Sequence, residues 1–148
     1  MNNITRNILA VLGGLVIGCI VNLSLVSIGP HVVPLPEGAD VSDMDSLQES
    51  MKLFTPTNFL FPFLGHALGT LAGAFMAARL AASHCIKLAM VIGAFFQLGG
   101  ISVANMIGGP TWFIAGDLLL ACIPMAIAGV WFAGKTKPNA LGAENGAE

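Results

Sequence analysis

Charge is scarce in this chain: 9% of its 148 residues are Asp, Glu, Lys or Arg, against 55% hydrophobic. Soluble domains average roughly 25% charged residues, and one this small buries only about two-thirds of its chain surface on folding. So much apolar side chain could not be hidden from water, and lipid is expected to cover the rest. Lys and Arg nowhere cluster, and the net charge is -2. The basic footprint of a nucleic-acid binder is therefore missing, and no nucleic-acid partner is expected. Cysteine is scarce too. Cys19, Cys85 and Cys122 are widely spaced, odd in number and without a CxxC, which argues against a redox pair or a zinc site. All three are read as reduced and structural. No His-rich or carboxylate-rich set occurs, so no metal, haem or other cofactor is expected. His31 and His84 fall on opposite sides of the membrane in the topology below.

Long apolar runs stand in place of charge. A helix rising 1.5 Å per residue needs about 20 apolar residues to cross a hydrocarbon core of ~30 Å. Four segments reach that length, at about 8–28, 57–78, 86–107 and 111–133. The expected fold is all-α, an integral membrane four-helix bundle over residues 1–133 with an outside loop at 29–56. Residues 134–148, rich in Gly, Ala and Asn, are expected to form a disordered cytoplasmic tail. Arg6 before the first run imitates a secretory signal, but the run is long and no A-x-A site follows, so a retained helix is expected. Arg6, Arg79, Lys87, Lys135 and Lys137 fall on one side of this topology; Lys52 stands on the other beside Glu37, Asp40, Asp43, Asp45 and Glu49. Basic residues mark the cytoplasmic side, so both termini are expected there. Trp112 and Trp131 stand near the two ends of the fourth span, roughly 28 Å apart along a continuous helix.

The one long connection has two parts. Gly29-Pro30-His31-Val32-Val33-Pro34-Leu35-Pro36 is proline-rich and is expected to be extended. Ser42 then opens a cap-like Ser-Asp-Met-Asp, and Met44, Leu47, Met51 and Phe54 follow at helical spacing. A short amphipathic helix over 43–54 is predicted. It either shortens an awkward loop as a lid or gates a cavity or docking site.

Small and polar residues carry the remaining signal. Gly65, Gly69, Gly73 and Ala77 repeat at four-residue spacing on the second span. Gly14 and Gly18, then Asn22, share a stripe on the first, and Ala89 and Gly93, then Gln97, on the third. Helices in lipid associate through such close backbone contact. Gly14, Gly18, Gly65, Gly69 and Gly73 are expected to build the bundle or a contact with another copy or another membrane protein. Counted from the loop side, Asn22, His66, Gln97 and Asp117 lie roughly 9–15 Å deep, and Thr70 is near. Asp117 is the most costly of them, since a carboxylate at the centre of a span costs about 2.5–3.5 kcal/mol on insertion scales. Polar groups at one depth on packed helices should find one another. His66 and Asp117 are expected to touch, inside a polar pocket that opens toward the loop and is shut below. Either Asn22, His66, Gln97 and Asp117 form a satisfied network that only holds the helices together, or His66 and Asp117 exchange a proton or hold a small polar ligand; Asn22, His66, Thr70, Gln97 and Asp117 are the ligand-binding or proton-relay candidates. Pro62 and Pro124 lie within spans and are expected to kink them.

The runs Pro36-Glu37-Gly38-Ala39-Asp40, Asp43-Met44-Asp45-Ser46-Leu47 and Phe61-Pro62-Phe63-Leu64-Gly65-His66-Ala67-Leu68-Gly69-Thr70 resemble a group of uncharacterised small four-helix bacterial inner-membrane proteins, over most of residues 8–133. The resemblance implies four-helix topology and a bacterial inner-membrane location, and carries no function or site list. The chain has neither the paired cysteines of a quinone-linked thiol oxidoreductase nor the Glu-Trp signature of small multidrug exporters. The leading expectation is a non-enzymatic scaffold, accessory subunit or small-ligand binder. The alternative is an oligomeric proton-coupled transporter or channel working through the His/Asp pair, as a homodimer, because four helices are few for an alternating-access path. An intramembrane enzyme would need more than one His, one Asp and scattered hydroxyls.

Overall fold

A computed structural model describes residues 2–134, and every described element is helical. Four helical stretches are long and apolar enough to cross a membrane: Asn3–Val32, Pro56–Leu80, Cys85–Ile107 and Thr111–Phe132. The expected tail lies outside the described residues, apart from Gly134.

Helix α1 (Asn3–Val32) starts at Asn2, whose side chain accepts the Thr5 N–H at 2.8 Å. It runs through Pro30, so the expected extended segment begins later, at Val33. A proline one turn from a helix end removes a single backbone bond, and the Val33 N–H still reaches the Gly29 carbonyl at 2.8 Å. The extension seats Gly29 against Phe61, where a Cβ would lie 2.8 Å from the phenylalanine's own.

Helix α2 (Met44–Ser50) is the predicted loop helix, shorter than 43–54. Its cap is Asp43 rather than Ser42: the Asp43 carboxylate accepts the Ser46 N–H at 2.8 Å. A buried Ser50 ties the loop down, its hydroxyl accepting the Asp40 N–H at 2.8 Å and donating to the Asp40 carbonyl at 2.9 Å.

A 3-10 turn at Pro56–Phe59 leads into α3 (Leu60–Leu80). Pro62 falls in the first turn of α3, where its N–H would have had no intrahelical partner, so the expected kink has no cause there. Helix α4 (Cys85–Ile107) follows a short turn in which His84 takes a left-handed φ of 55°. On this side Arg6 donates to the Leu80 carbonyl at 2.8 Å, placing a cation at the negative end of α3. The Asn7 side chain accepts the Ala82 N–H at 2.9 Å.

The fourth span is broken. α5 (Thr111–Leu120) and α6 (Ile123–Phe132) meet at Ala121–Cys122. Pro124 is the cause: its ring collides with the carbonyl four residues back, that of Leu120, and offers it no N–H. The kink expected at Pro124 is thus an interruption, and the roughly 28 Å between Trp112 and Trp131 no longer measures one straight helix.

At the centre is α3, packed against α1, α6 and α4. Against α1 the contact is glycine on glycine. A Cβ on Gly14 would meet the Gly73 carbonyl at 2.6 Å, one on Gly18 the Gly69 carbonyl at 2.8 Å, and one on Gly65 the Asn22 carbonyl at 3.1 Å. Each step of four along α1 is matched by four back along α3. Gly14, Gly18, Gly65, Gly69 and Gly73 are thereby buried within the chain, so a contact between copies would have to use another face. A Cβ on Gly129 of α6 would likewise lie 2.8 Å from the Leu71 carbonyl of α3, and one on Gly93 of α4 would lie 2.9 Å from the Ala126 Cβ.

Candidate functional site

His66 sits two turns into α3 and Asp117 two turns into α5, and the two side chains meet: His66 Nδ1 lies 2.6 Å from Asp117 Oδ2. When the carboxylate is ionised it can only accept, and the imidazole then donates from Nδ1. Among the described residues the second ring nitrogen takes no protein partner. The imidazole is 20% exposed and the carboxylate 6%. Asp117 is the one buried residue of α5, so this contact and the aromatic cluster above it hold that helix to the bundle. In the cluster Phe59 lies 4.6 Å from Phe113 and 5.7 Å from Trp112 between ring centroids.

The pair forms part of the floor of a cavity of about 640 Å³. Helices α1, α3, α4 and α5 wall it, and Leu35, Val41, Leu47, Met51 and Phe54 roof it from the loop and α2. The expected pocket under the loop helix is present, with a different lining. It is apolar along its length, and Asn22, Ser27, Asn58, His66 and Asp117 are the side chains able to hydrogen-bond. Its volume lies within the ~300–1,000 Å³ of small-molecule sites, and a mostly apolar wall with few convergent polar groups is their usual chemistry.

Of the five residues singled out by sequence, three line this cavity: Asn22, His66 and Asp117. Thr70 lies one turn deeper on α3, fully buried, its hydroxyl facing the Cys122 thiol and finding no oxygen or nitrogen partner among the described residues. Gln97 does not join them. Successive residues on a helix point about 100° apart, and Phe96 holds the bundle-facing position, edge-on to His66 at 6.5 Å. The α4 stripe therefore runs Ala89, Gly93, Phe96, Gly100 and not through Gln97. Gln97 keeps an enclosed side-chain oxygen without a partner. Ser102 and Asn105 turn back onto their own helix, bonding the carbonyls of Leu98 and Ile101 at 2.9 Å each.

The expectation of a satisfied network thus fails. Besides the His66–Asp117 bond, Thr70 Oγ1, Gln97 Oε1 and Asp117 Oδ1 are buried with no oxygen or nitrogen partner among the described residues. Each such group costs about 1–3 kcal/mol, more if charged. Two further residues make the site and were missed in the sequence. A Cβ on Gly100 would stand 3.1 Å from His66 Cε1 and 3.6 Å from Asp117 Oδ2, so glycine there gives the pair its room. Its position two i+3/i+4 steps beyond Gly93 was the one signal for it. Ser50, the clamp of the roof, gave none.

No group of three or more His, Cys, Asp or Glu able to hold a metal occurs among the described residues. Fold and site together define a helical bundle of four membrane-length apolar helices that encloses a cavity with an acid–imidazole floor. No known protein family, curated protein or solved structure matches the chain.

Proposed function

We propose that this chain is an integral membrane protein that binds a small ligand in the cavity beneath α2, with His66 and Asp117 as its polar anchor. The carrying observation is that the Asp117 carboxylate, buried beside a cavity of about 640 Å³, keeps one oxygen without a donor among the described residues. A residue serving only to join helices would be expected to have its hydrogen bonds filled; this one keeps a spare acceptor, and its partner His66, 20% exposed, borders the cavity beside it. Arg6, Arg79 and Lys87 on the side away from the cavity favour cytoplasmic termini and a site in the outer half of a bacterial inner membrane.

The test is co-purification. Protein extracted in detergent, stripped with organic solvent and analysed by mass spectrometry should release one small molecule in near-stoichiometric amount. Asp117→Asn and Gly100→Leu should lose it while keeping the parent's helical content by circular dichroism. An empty cavity, with stability falling in both variants, would return the pair to a purely structural role.

A second reading, proton-coupled transport, is favoured by the interruption of the fourth span next to the pair. Discontinuous helices of this kind line substrate and ion sites in transporters. In proteoliposomes, proton flux abolished by both His66→Ala and Asp117→Asn would select it; four spans would then work as a homodimer.

A further inference from the structure

Asp117 is reached from two directions. Besides the main cavity, a groove of about 410 Å³ runs between the 3-10 turn with the start of α3 and the facing side of α5. Phe59, Phe113 and Asp117 line both spaces. The two rings lie 4.6 Å apart between centroids, tilted by 37°, and form the partition. On the far side the groove is edged by Leu60 and Trp112, which are 49% and 57% exposed. In a bilayer that surface faces lipid, near the headgroup end of the span.

The two boundaries of the cavity are fastened differently. The roof is tied by side-chain hydrogen bonds, those of Ser50 to Asp40 and that of Asn58 to the Pro34 carbonyl at 3.2 Å. The partition is two stacked phenyl rings, one of them on α5, whose only buried side chain is Asp117 and whose far end is the break at Ala121–Cys122. Rotating a ring or tilting a loosely held half-helix breaks no backbone hydrogen bond. Opening the roof breaks the three side-chain hydrogen bonds of Ser50 and Asn58.

We propose that the Phe59–Phe113 seam is a lateral mouth, through which the cavity takes a small lipid-phase molecule with an apolar body and a hydrogen-bond-donating head, an alcohol or an amine. The head sets its donor on the His66–Asp117 pair at the cavity floor, at the His66 ring nitrogen that takes no protein partner among the described residues, and the body lies along the apolar wall under α2. From Asn58 to His66 the wall spans about 12 Å of helix, less than the ~15 Å of one leaflet's hydrocarbon. A whole phospholipid is too long; a small ring or short chain is not. This inference rests on the ligand-binding reading above.

Gly116 supplies the test. It lines the groove, and a Cβ there meets nothing within 4 Å, so Gly116→Phe fills the mouth without disturbing the bundle. Gly99, which has equally open surroundings and lines neither space, gives the control Gly99→Phe. The full chain is placed in lipid nanodiscs with Phe54→Trp as the reporter inside the cavity and Trp112→Phe and Trp131→Phe to silence the native indoles. The probes are 8-bromo-1-octanol, 8-bromooctylamine and, lacking a donor, 1-bromooctane. Saturable quenching is expected from the alcohol or the amine, whichever saturates naming the head, and at least about tenfold weaker quenching from the bromoalkane. Gly116→Phe should slow its onset at least about tenfold with final occupancy unchanged, and Gly99→Phe should not. Equal onset rates in the two variants would overturn the mouth. Bromoalkane binding as tight as alcohol would overturn the donor head. A co-purified molecule in a cavity that none of these probes enters would overturn this inference and leave the ligand-binding reading standing; the absence of both would remove the two together.

Discussion

Helices α5 and α6 are each ten residues long, apolar and joined nearly end to end, yet they stand in opposite relations to the bundle. α6 buries Ala126, Gly129 and Val130, with Gly129 set directly on the backbone of α3. α5 buries Asp117 alone and faces the 3-10 turn before α3 through phenyl and indole rings. In lipid, where burying apolar surface gives little net drive, close approach of backbones decides how tightly helices hold. Glycine on one side and a small residue on the other closes the half of the bundle nearest the termini. Large rings at the other end hold α5 off, and the space they leave is the cavity. One span thus contributes a wall to the closed half and a loosely seated panel to the open half, with Pro124 between them.

The largest test of this contrast is to break the closed half. Gly18→Leu drives a side chain into the Gly69 carbonyl, 2.8 Å from where its Cβ would sit. Overpacking of this kind costs about 1–3 kcal/mol or more. Unfolding in graded detergent–denaturant mixtures should show the loss, whereas Gly116→Leu in the open half should leave the midpoint unchanged. If both variants unfold alike, the two halves do not differ as described.

Mending the break comes next. Pro124→Ala restores an N–H for the Leu120 carbonyl and removes the ring that excludes it. Amide exchange at residues 118–123 should slow by roughly tenfold, the equivalent of the ~0.5–1.5 kcal/mol of one net hydrogen bond. Unchanged exchange would mean that the seating of α6 on α3, and not proline, sets the interruption.

The smallest effects belong to the roof. Ser50→Ala removes both bonds to Asp40 and should cost about 1 kcal/mol locally, seen as faster proteolysis between 36 and 43 with the bundle's midpoint unmoved. Acid should loosen the same loop. Hydrogen bonds from the Ser42 backbone and then its hydroxyl hold the Asp40 carboxyl below the usual carboxylate range. That contribution is complete at neutral pH and is lost as pH falls through the lowered value, so proteolysis should quicken only in strong acid. A loop equally resistant there would show that Ser50 alone fastens it.

Much of this arrangement is legible in the amino-acid sequence. Four spans follow from apolar run length, and the meeting of His66 with Asp117 follows from depth counted along two helices, because hydrocarbon leaves a carboxylate few alternatives. Depth can be counted; rotation cannot. A helix apolar all round carries no polar face to fix its phase, so counting puts Gln97 at the right level and the wrong angle, and Phe96 takes its position. Pro30 and Pro124 show the same limit: whether proline ends, bends or merely joins a helix depends on which carbonyl lies four residues back and what else can satisfy it. Gly100 matters through the two side chains beside it, which are distant in sequence. The apolar lining of the cavity arises from segments that meet only once folded.

The matched steps of Gly14, Gly18 and Asn22 against Gly73, Gly69 and Gly65 make the first span a ruler. Because the glycines admit only one register, every residue farther along α1 has its height and bearing set by count from them. Deleting a single residue between Gly18 and Asn22 would shift the remainder of the helix by about 1.5 Å and turn it by about 100°, carrying Asn22, Val26 and Gly29 off the cavity wall together. The stretch between the closed half and the site should therefore tolerate exchange of side chains far better than any change in its length.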